Sequence, residues 1–581
     1  MSHLHDTDGL PPLLAGLAAT ARSAPARPAV VGPGDEQLSF AALHTRVTAV
    51  AAGLRTRGLG GGARTVVLVP PGPDFVVAIY GLLAGGGVPV LVDPGIGVRR
   101  VARALAAVAQ AALIGSTRAH VARRVLRWAP SARHHILTDD VPGLVARACG
   151  ATDTLADVER DGRHAIANGH AAWTPRADAD EAALLFTSGS TGPPKAVVYR
   201  HPHFAAQLAA LTSRFRLRAA ETNVATFPPF ALFGPAIGMT TVLPSMDFTR
   251  PAAADPRALF ALVQRSGADV LFASPALLSV LARYGRAHDC GLPTVRLVLS
   301  AGAPVPADVA TAMASLLAPE AVVATPYGMT EALPVCTIGG AELRAPADAN
   351  QPPRGVCIGT PVADTDVMII AVTDSPIARL SPAHAVATGQ VGELVVAGPQ
   401  VTEAYVDRPA ATARAKTTWQ GRVAHRTGDL AWCDPHGRLW FCGRTAHRVH
   451  TAAGHMDPLP IERLVTGHPA VRRAALVGVG DATTADPVLI VQPEDAVWHR
   501  LRPWIPGGRR RRSALVRDLR ARLDADDDGA RVTQVLLRRR FPVDARHNAK
   551  VGYEQLARWA AARRRGRLAW VGRRAFGGAA T

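Results

Sequence analysis

The most constraining part of the chain is the segment Leu184 to Lys195, which passes from an apolar run into a loop of small and hydroxyl-bearing residues. The apolar start predicts a buried strand, and Gly189 and Gly192 let the following backbone turn tightly with its amides directed outward. Further donors are supplied by Thr187, Ser188, Ser190, Thr191 and Lys195. Such a cradle suits polyphosphate oxygens. The spacing differs from the P-loop, because only two residues separate Gly192 from Lys195 and no Ser or Thr follows the lysine. We predict a nucleotide-binding loop rather than a plain Ser/Gly-rich connection.

Lysine is nearly absent from this basic chain. The 65 basic residues comprise 62 arginines and three lysines, Lys195, Lys416 and Lys550. The bias suggests a GC-rich coding sequence in which arginine serves as the generic cation. A retained lysine can then mark a site that requires a compact ammonium rather than a planar guanidinium. We interpret Lys195 and Lys550 in this way, and Lys416 as a chance survival.

Length and composition predict a folded protein of several lobes. The 581 residues exceed one ordinary core, and 48% hydrophobic with 19% charged residues is typical of globular chains. The first residues lack the basic and then apolar pattern of a secretory signal. The longest apolar run, 75–92, contains four glycines and a proline, so it predicts a buried helix, a turn and a strand rather than a membrane span. Six cysteines without two-residue spacing favour neither zinc nor disulfides, and the cytoplasm is the predicted compartment.

The net charge of +19 is concentrated near the end of the sequence. From Leu501 onward, 21 basic residues face seven acidic ones, which is +14 of the total. These runs lack interleaved aromatic residues and any recognised nucleic-acid module, so no nucleic-acid partner is expected. We interpret the basic runs as solvated surface, with contact to a polyanionic partner or a peripheral contact to an anionic membrane as the alternative.

Strand-like runs alternate with helical patterns rich in Ala and Leu, which predicts mostly parallel α/β layers. Strands are predicted at 270–274, 295–299 and 321–324, with Ser274 capping a helix that has Pro275 at its first position. Conspicuous loops then follow at 300–304 and 325–331. Loops at the carboxyl ends of strands are where open α/β sheets bind ligands, which independently supports a nucleotide site.

The pattern changes to shorter strands and turns after Gly392, and the main boundary is predicted between Arg444 and His447. We predict a large α/β N-terminal domain of several subdomains over 1–445. A small, mobile α+β domain over 446–581 would follow, with a strand at 474–479, a helix around 552–562, and Lys550.

Taken in order, these loops resemble the adenylate-forming superfamily of acyl-CoA synthetases, luciferases and peptide-synthetase adenylation domains. The resemblance extends from about Pro28 to Trp559 and rests on six elements, which are individually weak but specific as an ordered set. They are Thr187–Lys195, Ser300–Pro304, Tyr327–Glu331, Thr427–Asp429, Gly443–Arg444 and Lys550.

The resemblance implies ATP and Mg²⁺ as cofactors and a role for each element. The loop from Thr187 to Lys195, with Ser188, Gly189, Ser190, Thr191 and Gly192, would hold the β- and γ-phosphates. The adenine would lie between Ala301, Gly302, Ala303 and Pro304 on one side and Thr325, Tyr327 and Gly328 on the other, with Tyr327 stacked on the base. Thr330 would contact the α-phosphate, Glu331 would bind Mg²⁺, and Asp429 with Arg444 would hold the ribose. Lys550 would enter the site with the small domain and stabilise the charge that develops during adenylation.

Other segments resemble more narrowly the β-lactone synthetases of bacterial long-chain olefin biosynthesis. They are Tyr199–Phe204, Phe227–Pro235, Thr325–Pro334, Leu439–Arg444, His447–Val449 and Arg546–Lys550. The segment Phe227–Pro235 replaces the usual acyl-pocket segment and has Ala231 where a histidine is usual. This resemblance implies activation of a 2-alkyl-3-hydroxy fatty acid and closure to a β-lactone, with sister enzymes of the pathway as partners. Phe230, Leu232 and Phe233 are candidates for the alkyl slot or for core packing.

Two departures and two alternatives accompany this interpretation. Ala196 follows Lys195 where glycine is usual, which is a small change. Ala446 occupies the hinge position where CoA ligases usually have Asp or Lys, which questions a large rotation toward a thiol tunnel. A conventional acyl-CoA or acyl-carrier ligase is the main alternative, and a non-catalytic scaffold is another. His203 is a guess for the base that takes the hydroxyl proton, while His425, His447 and Cys442 are interpreted as structural.

Overall fold

The structure is a computed structural model that describes residues 10–171, 173–174, 177–187, 193–344, 355–543 and 551–563. Two parts of the predicted site, Ser188–Gly192 and Lys550, lie outside the described residues.

The strands, in chain order, are β1 Pro28–Val31, β2 Gln37–Ser39, β3 Arg64–Leu68, β4 Val88–Leu91, β5 Ala112–Gly115, β6 His134–Leu137, β7 Asp153–Thr154, β8 Glu181–Phe186, β9 Ala196–Arg200, β10 Thr222–Ala225, β11 Thr240–Val242, β12 Val270–Phe272, β13 Leu297–Leu299, β14 Val322–Met329, β15 Ala332–Gly339, β16 Val356–Pro361, β17 Asp366–Ile370, β18 Gly392–Ala397, β19 Lys416–Trp419, β20 Arg422–Cys433, β21 Leu439–Arg444, β22 Val449–Thr451, β23 Gly454–Met456, β24 Val471–Val479, β25 Asp486–Pro493 and β26 Gln534–Leu537.

The α-helices are α1 Pro12–Ser23, α2 Phe40–Thr56, α3 Pro73–Gly85, α4 Val98–Ala106, α5 Thr117–Leu126, α6 Gly143–Ala148, α7 Leu155–Ala167, α8 His201–Phe215, α9 Pro228–Ala231, α10 Phe233–Ile237, α11 Pro256–Arg265, α12 Pro275–His288, α13 Ala307–Ala314, α14 Gly340–Arg344, α15 Pro409–Ala415, α16 Pro458–Thr466, α17 Asp495–Arg500, α18 Gly508–Asp524 and α19 Asp527–Ala530. Short 3-10 turns are Pro94–Ile96, Pro251–Ala253, Pro382–His384 and Thr445–His447, and residues 553–563 are helical.

Two large sheets carry the N-terminal part of the chain. One has seven strands in the order β7-β6-β5-β3-β4-β8-β9, all parallel except the last pair. The other has 14 strands, with β1, β10, β11, β12, β13 and β14 parallel and an antiparallel portion from β14 through β21 to β17. The largest hydrophobic cluster joins the two sheets through helices α2 and α3. The predicted α/β class is confirmed.

The C-terminal part has its own small sheet and its own hydrophobic cluster. Strands β24 and β25 are antiparallel, and β26 is parallel to β25. Helices α16 and α18 cover this sheet through buried Ile461, Val465, Leu515 and Leu519. An α+β lobe of this kind is what the sequence pattern predicts.

Local sequence signals explain several element boundaries. Ser274 accepts a hydrogen bond from the Leu277 amide at 3.3 Å and caps α12, with Pro275 at the first helical position, as predicted. The apolar run 75–92 is divided into α3 and β4, which confirms the helix, turn and strand prediction. The left-handed residue Gly86 (φ 77°) ends α3.

The predicted loop 325–331 is the main difference in the fold. Residues 325–329 belong to β14, which pairs antiparallel with β15 in a register that places Thr325 opposite Ile338 and Tyr327 opposite Cys336. Only Thr330 and Glu331 form the turn between these strands. The local sequence does not predict this extension of β14, because it depends on pairing with β15 from the following segment. Its effect is to fix Tyr327 on a strand.

None of the helices in the described ranges combines the length and the apolar character that crossing a bilayer requires.

Candidate active site

The base of the predicted phosphate loop is closed by two hydrogen bonds. The amide of Thr187 donates to the carbonyl of Lys195 at 3.0 Å, and the amide of Lys195 donates to Thr187 Oγ1 at 3.2 Å. Strand β8 enters the loop and β9 leaves it, antiparallel to β8. The strand predicted before the loop is present as β8, and the chain returns to the same part of the sheet through β9.

A distant segment lies against the exit strand. The Val198 amide donates to the Ala404 carbonyl at 3.1 Å, and the Val406 amide donates to the Ala196 carbonyl at 2.9 Å. This pairing places the ring of Tyr405 beside Lys195, whose Nζ lies 4.7 Å from the ring centroid. A cation over an aromatic face is stabilised by the ring quadrupole, so Tyr405 helps to hold the lysine at the mouth of the loop.

Glu331 is buried at the turn after β14, and its two ends are held by two residues of the same segment. Its Oε1 accepts a 2.6 Å hydrogen bond from the Tyr405 hydroxyl. Its carbonyl accepts from the Thr402 amide at 2.9 Å and from Thr402 Oγ1 at 3.0 Å. Burial, and then the neighbouring Glu331 carboxylate, raise the pKa of the Tyr405 hydroxyl. The phenol therefore stays a donor to the carboxylate.

This geometry fits a magnesium ligand. A carboxylate whose Oε1 is already fixed by a phenol offers Oε2 in a defined direction, and Mg²⁺ takes hard oxygen donors of this kind. The cation Lys195 and the carboxylate Glu331 share Tyr405 as a common neighbour. The site thus places a positive group over the ring of Tyr405 and a metal-ligand candidate at its hydroxyl.

Thr330 is placed by the exit strand of the phosphate loop. Its carbonyl accepts a 2.7 Å hydrogen bond from the hydroxyl of buried Tyr199 on β9. Gln207 on α8 donates to the same hydroxyl at 3.3 Å. Strand β9 therefore fixes both predicted phosphate contacts, because it begins beside Lys195 and carries Tyr199.

The predicted adenine slot is assembled at the carboxyl end of β13 and within β14. These strands are parallel, with Leu299 opposite Ala324, and the Ser300 amide donates to the Ala324 carbonyl at 3.0 Å. The loop of Ala301, Gly302, Ala303 and Pro304 therefore begins beside Thr325. Gly302 has a φ of 94°, which a side chain would strain. The structure brings these two predicted elements together.

Asp429 is held from two strands. The hydroxyl of Tyr327 donates to its Oδ2 at 2.6 Å, and Arg444 Nε lies 3.4 Å from its Oδ1. Arg444 is opposite Asp429 in the β20–β21 register. Burial, and then the Asp429 charge, raise the pKa of Tyr327. The three residues predicted for adenine and ribose form one group, joined by the hydrogen bond from Tyr327 and the ion pair from Arg444 to Asp429, with Gly428 (φ 68°) next to it.

The predicted acyl-pocket segment divides into core and lining. Phe230 and Leu232 belong to the main hydrophobic cluster, and the ring of Phe230 lies 4.6 Å from that of Phe272. The hydroxyl of buried Tyr80 donates to the Leu232 carbonyl. Phe227 and Phe233 are only partly buried. Of the three candidates, Phe230 and Leu232 serve core packing and Phe233 is available to line an apolar slot; Phe227 of the same segment, which was not a candidate, is equally exposed in part.

His203 is engaged in holding a helix end. Its Nδ1 accepts a 2.9 Å hydrogen bond from the Arg200 amide at the start of α8. Burial lowers the pKa of His203 to about 4. The accepting nitrogen is occupied and the ring is a weak base, so the geometry does not support the guess that His203 takes the hydroxyl proton.

Behind Glu331 lies a buried group of Lys416, Thr402 and His425 that no sequence motif indicates. Lys416 is buried, lies opposite buried His425 in the β19–β20 register, and donates to Thr402 Oγ1 at 3.3 Å. Burial lowers the pKa of Lys416 to about 7, while Glu331 and Glu403 oppose this shift. The rarity of lysine in the sequence was the one feature that could have pointed to Lys416. No sequence feature points to Tyr405 or Thr402, because their contacts depend on pairing with β9 and with the turn at Glu331.

Residues 17–406 match the family model described as AMP-binding enzyme. The chain is 45% identical over 568 residues, 95% of this chain and 98% of the relative, to the olefin beta-lactone synthetase of Xanthomonas campestris pv. campestris. It is 46% identical over 534 residues, 91% of this chain and 92% of the relative, to the olefin beta-lactone synthetase of Stenotrophomonas maltophilia.

Solved structures show the same fold at lower identity. The amide bond synthetase of Marinactinospora thermotolerans superposes with a TM-score of 0.73 at 22% identity, covering 94% of this chain and 99% of that one. The o-succinylbenzoate coenzyme A synthetase of Bacillus subtilis, in complex with ATP and magnesium ion, superposes with a TM-score of 0.66 at 17% identity, covering 93% and 98%.

Proposed function

The chain belongs to the AMP-binding enzyme family, and on that premise we propose that it converts a 2-alkyl-3-hydroxy fatty acid and ATP into a β-lactone, AMP and pyrophosphate. The observation that carries the proposal is the near full-length identity of 45% to an olefin beta-lactone synthetase. The group around Asp429 would bind the adenine and ribose in the first half-reaction, and the carboxylate of Glu331 would bind the metal.

In the first step the substrate carboxylate attacks the α-phosphorus of ATP. A carboxylate oxygen forms a bond to phosphorus, the bond to the bridging oxygen breaks, and pyrophosphate leaves. Lys195 would neutralise the β- and γ-phosphates, while Asp429 and Arg444 hold the ribose. Charge placed where it develops is usually the largest catalytic contribution.

In the second step the β-hydroxyl oxygen attacks the acyl carbon of the adenylate. The carbon–oxygen bond to AMP breaks, AMP leaves with its electron pair, and the hydroxyl proton passes to solvent or to a base. The reaction is intramolecular, so holding the hydroxyl over the carbonyl replaces a second binding event. The apolar edge formed by Phe227 and Phe233 would orient the alkyl chains, at about 0.8 kcal/mol per buried CH₂.

Magnesium and the small domain complete the proposal. When bound, Mg²⁺ would neutralise phosphate charge, with Glu331 as its protein ligand. Lys550, in a small domain over 446–581, is proposed to enter the site during adenylation, and the division from the 1–445 domain is part of this proposal. The alternative, a ligase that forms a CoA or carrier thioester, would use the same adenylate and differ in the second step. Enzymes that supply the hydroxy acid and consume the lactone are the proposed partners.

A product assay tests the proposal. Purified protein receives Mg-ATP and a synthetic 2-alkyl-3-hydroxy acid, with and without CoA, and products are identified by mass and by infrared carbonyl stretch. A dehydrated product with a strained-lactone stretch, formed equally without CoA, is expected. A CoA thioester would instead identify an acyl-CoA synthetase.

We also propose a cytoplasmic enzyme with a peripheral contact to anionic membrane, through a surface on the sheet edge opposite the phosphate loop. Val121 and Val125 on α5 are 48% and 74% exposed, and Leu144 on α6 is 79% exposed. Arg123 donates to the Cys149 and Gly150 carbonyls and so joins the two helices. Residues 98–150, which include both helices, contain nine arginines and two acidic residues, Asp139 and Asp140. Exposed aliphatic groups among an excess of cations favour an anionic lipid surface.

Vesicle sedimentation tests this surface. The double variant Val125→Glu/Leu144→Glu should lose binding to phosphatidylglycerol vesicles at least fivefold while its reaction rate in detergent is unchanged. Val423→Glu replaces an exposed valine elsewhere and is the matched control. Equal sedimentation of all three proteins, or binding to neutral phosphatidylcholine vesicles alone, would contradict the proposed contact.

A further inference from the structure

A buried lysine and a buried histidine lie opposite each other on strands β19 and β20, behind Glu331. Lys416 is 9% exposed and is the first residue of β19, and His425 on β20 is 3% exposed. A buried cation is unfavourable unless it is paired or hydrogen-bonded. Arg426 is buried as well, but it is paired with Glu393, and lysine is rare in this chain, so the buried Lys416 calls for an explanation of its own.

The Lys416 amine reaches Glu331 through one intermediate residue. Its Nζ donates to Thr402 Oγ1 at 3.3 Å, and the same hydroxyl donates to the Glu331 carbonyl at 3.0 Å. Thr402 is fully buried. The Thr402 hydroxyl has one hydrogen. Because Lys416 donates to a lone pair of its oxygen, that hydrogen remains available for the bond to the Glu331 carbonyl.

Charges from several elements surround the amine. The carboxylates of Glu331 and Glu403 favour the ammonium form, while burial disfavours it. The amine in turn acts against protonation of His425 and of His203. The nearby Arg200 forms an ion pair with Glu403. The ammonium is thus balanced by two carboxylates, one of which belongs to the proposed reaction.

We propose that Lys416 is a positioning residue that, through Thr402, fixes the main chain of Glu331 so that its carboxylate faces the phosphate side. The inference rests on the proposed function, which assigns Glu331 to Mg²⁺. Lys416 touches neither substrate nor metal in this role. Small displacements of a catalytic group are costly in rate, up to about a hundredfold for 1 Å.

A double-mutant cycle tests the path from Lys416 to Thr402. The variants Lys416→Met, Thr402→Val and the double variant are compared in acid-dependent ATP–pyrophosphate exchange, with the magnesium concentration for half-maximal rate and the melting temperature recorded. Each single variant should lower kcat about tenfold. The double variant should lie within about twofold of the worse single, because both changes break the same path.

Two matched variants separate positioning from stability. Thr402→Ser keeps the hydroxyl and should retain at least half of the wild-type kcat. Thr417→Val removes a buried hydroxyl that has no hydrogen-bond partner among the described residues, one position along β19, and should leave kcat unchanged.

The outcomes are distinct. Multiplicative losses in the double variant, or lower melting temperatures with unchanged kcat, would overturn the positioning role while leaving the proposed function intact. A wild-type protein without acid-dependent exchange would instead overturn the proposed function and this inference with it.

Discussion

The two carboxylates of the candidate site are held in different ways. Asp429 is fixed by Tyr327 and Arg444, which belong to the motifs that predicted the adenine and ribose contacts, here called the ribose side. Glu331 is fixed by Tyr405 and Thr402, from a segment that no motif marked. The ribose side is assembled by three strands of one sheet, β14, β20 and β21, whereas the metal side is assembled where the segment 402–406 crosses to β9 of the other sheet.

This difference shows which contacts a motif can reveal. The residues predicted to recognise the nucleotide carry their chemistry in short local sequence patterns. Groups that hold those residues can come from any strand that packs behind them, so their identity depends on topology. The metal side should therefore be more sensitive to changes at residues outside the motifs than the ribose side is.

Replacing the two carboxylates themselves should give the largest and most different effects. Glu331→Gln should lower kcat for adenylation by about 10²–10³, because the neutral amide is a poorer magnesium ligand and loses charge compensation. Asp429→Asn should mainly raise the KM for ATP, by about tenfold, through a weaker ribose contact. ATP–pyrophosphate exchange at varied ATP and Mg²⁺ measures both. Equal kcat losses in the two variants would contradict the separate roles.

Removing one hydroxyl from each side is the matched comparison. Tyr405→Phe and Tyr327→Phe each delete a 2.6 Å hydrogen bond to a carboxylate. Hydrogen bonds to charged groups contribute about 1.5–3 kcal/mol, so each variant should lose about 10- to 100-fold in kcat/KM. The loss should be in kcat for Tyr405→Phe and in the KM for ATP for Tyr327→Phe. The comparison fails if Tyr405→Phe changes only the KM for ATP.

Buried His203 should make the free energy of unfolding depend on pH. Burial lowers the pKa of His203 from 6.5 to about 4, so between these values the unfolded chain binds a proton that the folded chain does not. Stability should fall as the pH drops from about 6.5 toward 4. His203→Gln keeps an acceptor for the Arg200 amide but cannot titrate there. Its melting temperature should fall less than that of the wild type between pH 7 and pH 5, and an equal fall would contradict the assignment.

The hinge should give the smallest effect. Ala446 lies in the turn Thr445–His447, which directly follows Arg444, but it is not one of the residues that hold Asp429 or Glu331. If the reaction needs no rotation toward a thiolation state, Ala446→Asp should change the rate of lactone formation by less than about twofold. Steady-state product formation measures it. A large loss would indicate that domain rotation is required after adenylation.

Much of the fold was predictable because apolar runs, caps and turn residues are local signals. The strand before Thr187, the α3–β4 run and the Ser274 cap all have the predicted form. The extension of β14 through Met329 was not, because it is imposed by pairing with β15. The length of a strand depends on the strands with which it pairs, and the sequence of one segment does not identify its pairing partner.

The candidate site follows the same rule. Asp429, Arg444, Tyr327 and Glu331 were identified from motifs, and the structure joins the first three through one hydrogen bond and one ion pair. The roles of these residues stay predictions, as do those of Lys550 and the Ser188–Gly192 loop, which lie outside the described residues. Apart from the rarity of lysine, the sequence alone gives no reason to assign Lys416 a role, because its contact with Thr402 and its position opposite His425 are visible only in the structure.

Oxygen labelling tests the proposed reaction most directly. A 2-alkyl-3-hydroxy acid with both carboxylate oxygens replaced by ¹⁸O is converted by the full-length protein with Mg-ATP, and AMP and product are analysed by mass spectrometry. Acyl adenylation predicts one ¹⁸O in AMP and one in the lactone carbonyl, because the carboxylate attacks phosphorus and the β-hydroxyl closes the ring. Unlabelled AMP with both labels kept in the lactone would show that the hydroxyl is activated instead, and would contradict the account.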